Sequence, residues 1–546
     1  MQPQKYFIRD ATGLVRSFGT LDVLLFASGM VFALVFTTTQ FAWFYGNTDG
    51  ANLPLSLAIG AIPFAILMIA YWAIGLAMPR SGSDYVWVSR IFSPSIGFAW
   101  SLLYMFVIFF VAYVGEISPF SFAFSSSLTV SGIVSNSPSL ANLGNFLGGS
   151  QGTFLLATIF TIIFGVFAIV GSRFSKGVIY VSWVAAIIGM ILMWYILSTA
   201  NPTSFASNWD KMLPNNPASG LNSSMSYENL YTVAKAAGAP GPTTDLFGGA
   251  IAALPLASLF LFGGNYVNAF AGEIKNVKKA IPIALFLSLL FGVLYWTITS
   301  SLTLNAVGAD WMTRVGYGWD CCGTGSAAYP LPFAPTQPLI LGVIAYPNSA
   351  LISVMFITYL LGSIAPLFAY FWIPSKYFFA WSFDRAIPSR FSNVSSKFNT
   401  PYLSVLAIVV LGIVLSAFYE FTGFSTSFTI GSVIWGVSYV IPGLALMVFP
   451  FVKKDLFNQS PGFVKSKIGG LPIMSIVGFI VAISFAYIGY IGYLNPAVTS
   501  TATAAYGFAL VAGVIVLGFI IYFASKAFYK GKGIDVSLAF KEIPPE

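Results

Sequence analysis

Long apolar runs recur along this 546-residue chain, and most are about 20 residues, the length that carries a helix across a hydrocarbon core of about 30 Å. Few architectures can use such runs. Charged residues make up 8% of the chain and hydrophobic residues 57%, whereas average soluble proteins carry about 25% charged residues. A transmembrane β-barrel would show alternating segments of about 10 residues instead. The chain is therefore read as an all-α polytopic membrane protein.

Twelve spans are predicted. They cover residues 21–45, 53–78, 97–124, 153–171, 178–198, 248–271, 281–304, 350–373, 403–419, 428–451, 471–494 and 504–524. If the N-terminus is cytoplasmic, 22 of the 25 Lys and Arg residues fall on one side of the membrane. Lys211, Lys235 and Arg314 are the exceptions. The positive-inside rule then predicts a multi-pass protein of the cell membrane with both termini cytoplasmic. The net charge of +8 is accounted for by this topology, so nucleic acid is not an expected partner.

The predicted organisation is a cytoplasmic segment at 1–20, spans one to five within 21–200, and an outer loop at 201–247. Spans six to ten lie within 248–452, a loop and two further spans within 453–525, and a cytoplasmic tail at 526–546. The start, Met1 to Thr20, lacks the basic, apolar, small-residue order of a cleaved signal peptide. Three outer stretches, 125–152, 201–247 and 305–337, are rich in polar and small residues and read as loops, either lids or coil. Asn222-Ser223-Ser224 is a glycosylation sequon on that side. Histidine is absent, which removes the commonest general base and metal ligand. Cys321 and Cys322 are adjacent, a spacing that suits neither a metal site nor ordinary disulfide geometry. No phosphate-binding G-x-x-x-x-G-K-S/T is present, so no ATP-driven step is expected of this chain.

Residues 260–282 read FLFGGNYVNAFAGEIKNVKKAIP. Two glycines and an asparagine, Gly263-Gly264-Asn265, interrupt an apolar run. Backbone freed from a helix in the bilayer needs a partner, and it is tolerated where it lines a cavity. Span one carries Ser28-Gly29 at a similar depth. Glycine breaks at corresponding places in two halves point to a midplane site. Small-residue packing is the rival reading.

Three further stretches decide between them. Residues 79–90 read PRSGSDYVWVSR, residues 260–282 are those above, and residues 378–388 read FFAWSFDRAIP, followed by Thr400-Pro401. In this order and on this side, they resemble the amino acid–polyamine–organocation permease superfamily. Its members carry P-R-S-G-G-x-Y after span two. Span six has an F-x-G-F-D/E turn and exits through A-E-E-x-K-N-P-x-R-x-I-P. F-A-x-x-x-D-x-x-L-P follows span eight. The resemblance covers roughly residues 19–454.

The resemblance implies 12 transmembrane helices in the leucine-transporter-like fold, a 5+5 inverted repeat with two helices added. It implies an amino acid substrate held where spans one and six unwind, at Ser28, Gly29, Met30 and Val31 and at Phe262, Gly263, Gly264, Asn265 and Asn268. Amide N–H groups opening the second half of span one would take the carboxylate. Freed carbonyls of span six would take the ammonium. No cofactor is implied beyond a coupling H+ or Na+. Three departures stand out. Only the first small pair of the family's G-S-G turn survives in span one, which continues Met30-Val31-Phe32-Ala33-Leu34. Asn265 replaces the acid, and the preceding aromatic is missing. The lysine of a proton-coupled subgroup is absent from span five. Asn265 and the room left by two glycines suggest neutral, bulky substrates.

Candidate coupling and gating residues complete the reading. Glu116 lies 18 residues beyond Phe98, roughly 27 Å along an upright helix. An intramembrane carboxylate is a relay or ligand candidate, and solvation at the outer boundary is its rival. Ser353, Thr358 and Ser363 are candidate ion ligands, as hydroxyls of span eight are in sodium-coupled relatives of this fold, with helix back-bonding or packing as the alternative. Asn268 has an interhelical hydrogen bond as its alternative. Arg80, Asp84, Asp384 and Arg385 form a candidate inner-gate charge set, or are loop charges in solvent. Trp43, Trp72 and Trp194 read as interface or packing residues. The expected function is secondary amino acid transport, as ion-coupled uptake or symport. An exchanger is the nearest alternative, and a passive channel or a membrane sensor are the others. Oligomeric state is left open.

Overall fold

The computed structural model describes residues 16–31, 40–214, 223–331, 338–346, 348–422, 430–495 and 501–540. Lys5, Arg9, Asn222 and Lys541 lie outside the described residues, as does the side chain of Trp43. Among the described residues, ten helices are long and apolar enough to cross a membrane. They coincide with spans two to five and seven to twelve. Span six forms no continuous helix, and span one is described on either side of residues 32–39. Span one is a helix at Thr20–Val31 and another at Gln40–Asn47. Span six is two short helices, Leu246–Ala252 and Leu254–Ser258, and a 3-10 segment at Gly264–Glu273.

Burial sorts the helices around spans one and six. The long helix through span three, Pro94–Ile133, is the most enclosed, and Phe508–Gly531 is the most peripheral. Helix Ser172–Thr199 has two faces. Ser182, Ala186, Gly189 and Met193 are buried, while Val181, Val184 and Ile191 face outward, as a lipid-facing stripe requires. Phe262 joins four spans near the centre. It stacks on Trp435 at 4.3 Å and meets Phe64 edge-on at 5.1 Å, and Phe64 meets Phe485 at 5.2 Å.

The polar outer stretches are more ordered than their composition predicts. Span three continues as helix to Val134, through a π-helical stretch at Val107–Val114. The serine and threonine run does not end it, because these hydroxyls bond back within the helix. Ser127 donates to Ala123 O at 2.8 Å and Thr129 to Ser125 O at 3.1 Å. Gly132 and Gly144 then allow helix Pro138–Gly148 to fold back, since a Cβ on either would strike backbone. Likewise, helices Pro202–Met212, Tyr227–Ala236 and Ala309–Cys322 replace the expected coil. Tyr227 and Trp311 stack at 4.9 Å, and Trp209 meets Trp311 at 5.4 Å. The amphipathic faces of these helices bury against one another, which short-range polarity does not reveal. Cys321 and Cys322 are joined to each other, contrary to the sequence expectation.

Candidate functional site

The helical ladder lapses within 260–265. Leu261 donates to Ser258 O at 3.0 Å, and the next recorded backbone bond runs from Tyr266 to Gly263 O. Gly263 turns the chain with φ +113°, a conformation that side chains rarely adopt. It also touches the end of span one. A Cβ at Gly263 would lie 2.7 Å from Met30 Cβ and 3.0 Å from Tyr370 Oη. Helix Thr20–Val31 therefore meets the interruption of span six at one point. The last carbonyls of helix Thr20–Val31 are held from neighbouring spans: Tyr370 Oη donates to Met30 O at 3.2 Å, and Trp296 Nε1 to Val31 O at 3.2 Å. The amide donors expected at the start of the second half of span one, and Phe32-Ala33-Leu34, lie outside the described residues.

Gly264 leaves no open room. A Cβ there would run into the Ser288 hydroxyl, with Val31 Cγ2 at 3.7 Å. The space expected for a bulky substrate at Gly264 is thus closed by close packing of spans one, six and seven. Phe262 is buried between Trp435 and Tyr439 and packs rather than lines a cavity. The Asn265 amide is occupied. It donates to Tyr104 Oη at 3.1 Å and accepts from Tyr439 Oη at 3.2 Å. Asn268 donates to Asn265 O at 3.1 Å. Its Oδ1 is buried with no partner among the described residues, against Gly75, where a Cβ would strike it.

Ser28 bonds back to Leu24 O, and Gly29 sits 3.4 Å from Trp183 Nε1 as measured from an added Cβ. Trp183 Nε1 donates to Leu25 O at 2.6 Å, and Ser182 Oγ donates to Gly362 O at 3.1 Å. Beside them is a cavity of about 10 Å³, room for one water-sized particle. Side-chain donors thus occupy backbone carbonyls of spans one and eight here. Ser363 interrupts span eight between helices Ser349–Gly362 and Ile364–Phe383, and its buried hydroxyl has no partner among the described residues. Thr358 bonds back to Val354 O at 2.8 Å, and Ser353 is exposed, so neither reaches the span-one carbonyls. Glu116 follows the π-helical stretch and is 1% exposed, so it is buried rather than solvated. Trp72 stacks on Phe463 at 4.2 Å, and Trp194 donates to Thr299 Oγ1 at 2.9 Å; both are packing residues.

The expected charge set is redistributed. Asp384 pairs with Arg90. Arg90 Nη2 donates to Asp384 Oδ1 at 2.9 Å, and Nη1 lies 2.6 Å from Oδ2. The pair is buried, with the Phe540 ring over the guanidinium at 4.9 Å. Arg80 Nη1 donates to the neighbouring Pro79 O at 3.0 Å, and Arg385 lies against Tyr529 at 5.8 Å. Glu273 forms a second buried pair with Lys376. Its carbonyl accepts from Ser17 and Phe18, tying the start of span one to the exit of span six.

Asp84 takes a third arrangement. The loop before it is forced into shape by Gly82, with φ +94° and room for no Cβ, which would sit 2.6 Å from Ala380 Cβ. Asp84 is 1% exposed. Ser83 Oγ donates to Oδ1 at 3.2 Å and Tyr377 Oη to Oδ2 at 3.3 Å. Tyr71 and Tyr104 bring further hydroxyls, that of Tyr71 without a well-formed bond. Burial pushes the carboxyl up to about 6, against the pull of these hydroxyls. Sequence reading missed Arg90, Lys376 and the tyrosines. A charge inside a motif hints at the first, but tyrosines on five separate spans carry no local signal.

The fold and site define a polytopic helical membrane protein in which span one packs against an interrupted span six, with buried ion pairs at one end. The amino acid permease family model matches residues 18–521, and the chain belongs to this family. It is an amino acid transporter rather than an enzyme. It is similar to the branched-chain amino acid permease BcaP of Lactococcus lactis subsp. cremoris (strain MG1363), at 24% identity over 392 residues, 70% of this chain and 72% of that protein.

Proposed function

We propose that this permease carries neutral amino acids across the cell membrane by alternating access, between the end of helix Thr20–Val31 and the interruption at Gly263–Asn265. The observation that carries this reading is the contact of helix Thr20–Val31, at Met30, with the interruption of span six at Gly263. Ten long helices and the segments of spans one and six support twelve spans. Glycines at a similar depth in the first span of each five-span half support the inverted repeat. The basic-residue count supports cytoplasmic termini. Substrate ammonium would meet freed carbonyls of span six, and its carboxylate the amides opening the second half of span one.

The absence of any acid at Asn265 favours a neutral side chain, and the name of the relative favours leucine, isoleucine and valine as first probes. The filled surroundings of Gly29 and Ser182 favour H+ over Na+ as the coupling ion. Uptake of a labelled amino acid panel into proteoliposomes, under imposed H+ or Na+ gradients, tests the reading. Accumulation should follow the H+ gradient. Strict dependence on internal amino acid would favour the exchanger instead. Gly264→Trp should abolish uptake, because it drives an indole into Ser288 and Val31. Unchanged uptake and specificity in that variant would put the site elsewhere.

A further inference from the structure

Three buried carboxylates stand at the end of the bundle that carries residues 79–90 and 378–388. Two have cations: Asp384 holds Arg90 and Glu273 holds Lys376. Asp84 accepts from the hydroxyls of Ser83 and Tyr377, with those of Tyr71 and Tyr104 close by. An uncompensated buried charge is costly, and protonation is its usual relief. This carboxyl also communicates with the interruption of span six. Tyr104 touches both Asp84 and Asn265, and Tyr439 caps the other side of the Asn265 amide. Tyr266 completes the cluster, packed 5.9 Å from the Tyr104 ring. The tyrosines come from spans two, three, six, eight and ten, so the cage exists only while these spans are closed together.

We propose that Asp84 is the proton-binding residue of this transporter, protonated while this end is closed and deprotonated when it opens. The inference rests on the transport reading above. One proton adds to an Asp84 carboxylate oxygen from the medium on the substrate-entry side. It leaves to the cytoplasm once separation of the spans admits water to the carboxylate. No other bond changes. The sign follows from burial. The closed form holds the proton more tightly than a hydrated carboxyl does, so it is favoured as pH falls through about 6 towards the ordinary carboxyl range. Raising pH charges Asp84 and favours opening. Charged neighbours do not reverse this, because Arg90 and Lys376 are each committed to another carboxylate and the remaining groups facing Asp84 are tyrosines.

The experiment uses the full chain in proteoliposomes with labelled leucine. Three assays run side by side: counterflow at equal pH, accumulation under an imposed pH gradient, and accumulation under an imposed Na+ gradient. Asp84→Asn is expected to lose pH-driven accumulation at least tenfold while counterflow remains measurable. Asp84→Glu should restore pH-driven accumulation. Tyr377→Phe removes a donor that favours the charged form, so it should move the pH midpoint upward and decides the case if Asp84→Asn fails to fold. Full pH-driven accumulation by Asp84→Asn, or an unmoved midpoint in Tyr377→Phe, would overturn the assignment. So would wild-type accumulation that follows Na+ alone. Failure of the wild type in counterflow with every amino acid would instead strike the transport reading itself.

Discussion

Asp384→Ala is expected to destabilise the folded protein by about 3–5 kcal/mol, the usual cost of leaving a buried charge without its partner. Arg90 is enclosed by Phe540, Tyr85 and Ser89, so it has no short path to water. The double variant Arg90→Met with Asp384→Leu should recover most of the loss, because well-packed apolar residues often replace a buried pair without penalty. Thermal unfolding of the purified single and double variants checks this. Equal midpoints for the single variant and wild type would mean that the pair is exposed in solution.

Gly263→Val is expected to abolish transport, with a loss on the order of 100-fold or more, equivalent to about 3 kcal/mol. Two costs add at this residue. A positive φ imposes about 1–3 kcal/mol of strain on a branched side chain. Overpacking against Met30 Cβ and Tyr370 Oη contributes about 1–3 kcal/mol more. Relief would separate spans one and six, the elements proposed to hold substrate. Gly177→Ala is the control, since Gly177 has nothing within 4 Å and no positive φ. Initial uptake rates and the unfolding midpoint should both stay at wild-type values there. A Gly263→Val variant that transports normally would show that the interruption tolerates rearrangement.

These expectations show where local reading reached and where it stopped. The apolar runs and the glycine break of span six are legible because bilayer thickness and backbone satisfaction act on contiguous residues. The ten long helices and the interrupted span six follow that pattern, whereas Ser28 and Gly29 lie inside helix Thr20–Val31. The end of span three at Ser125 was misread, because hydroxyls that bond back to their own helix look the same in sequence as loop polarity. Ser353 was grouped with Ser363 by residue type alone, yet one faces outward and the other lies buried at a helix break.

The sequence by itself determined a membrane protein with helical spans, one of them interrupted at Gly263–Asn265, and a motif order that marks an amino acid permease. Tertiary structure alone decided the partners. Asp384 took Arg90, 294 positions away. Asp84 took tyrosine hydroxyls from separate spans instead of a cation. Gly264 proved to be a contact with Ser288 rather than room for substrate. The physical reason is the same in each case. Helix formation in a bilayer is dictated by residues next to one another, whereas pairing of buried charge and close approach depend on which helices pack together.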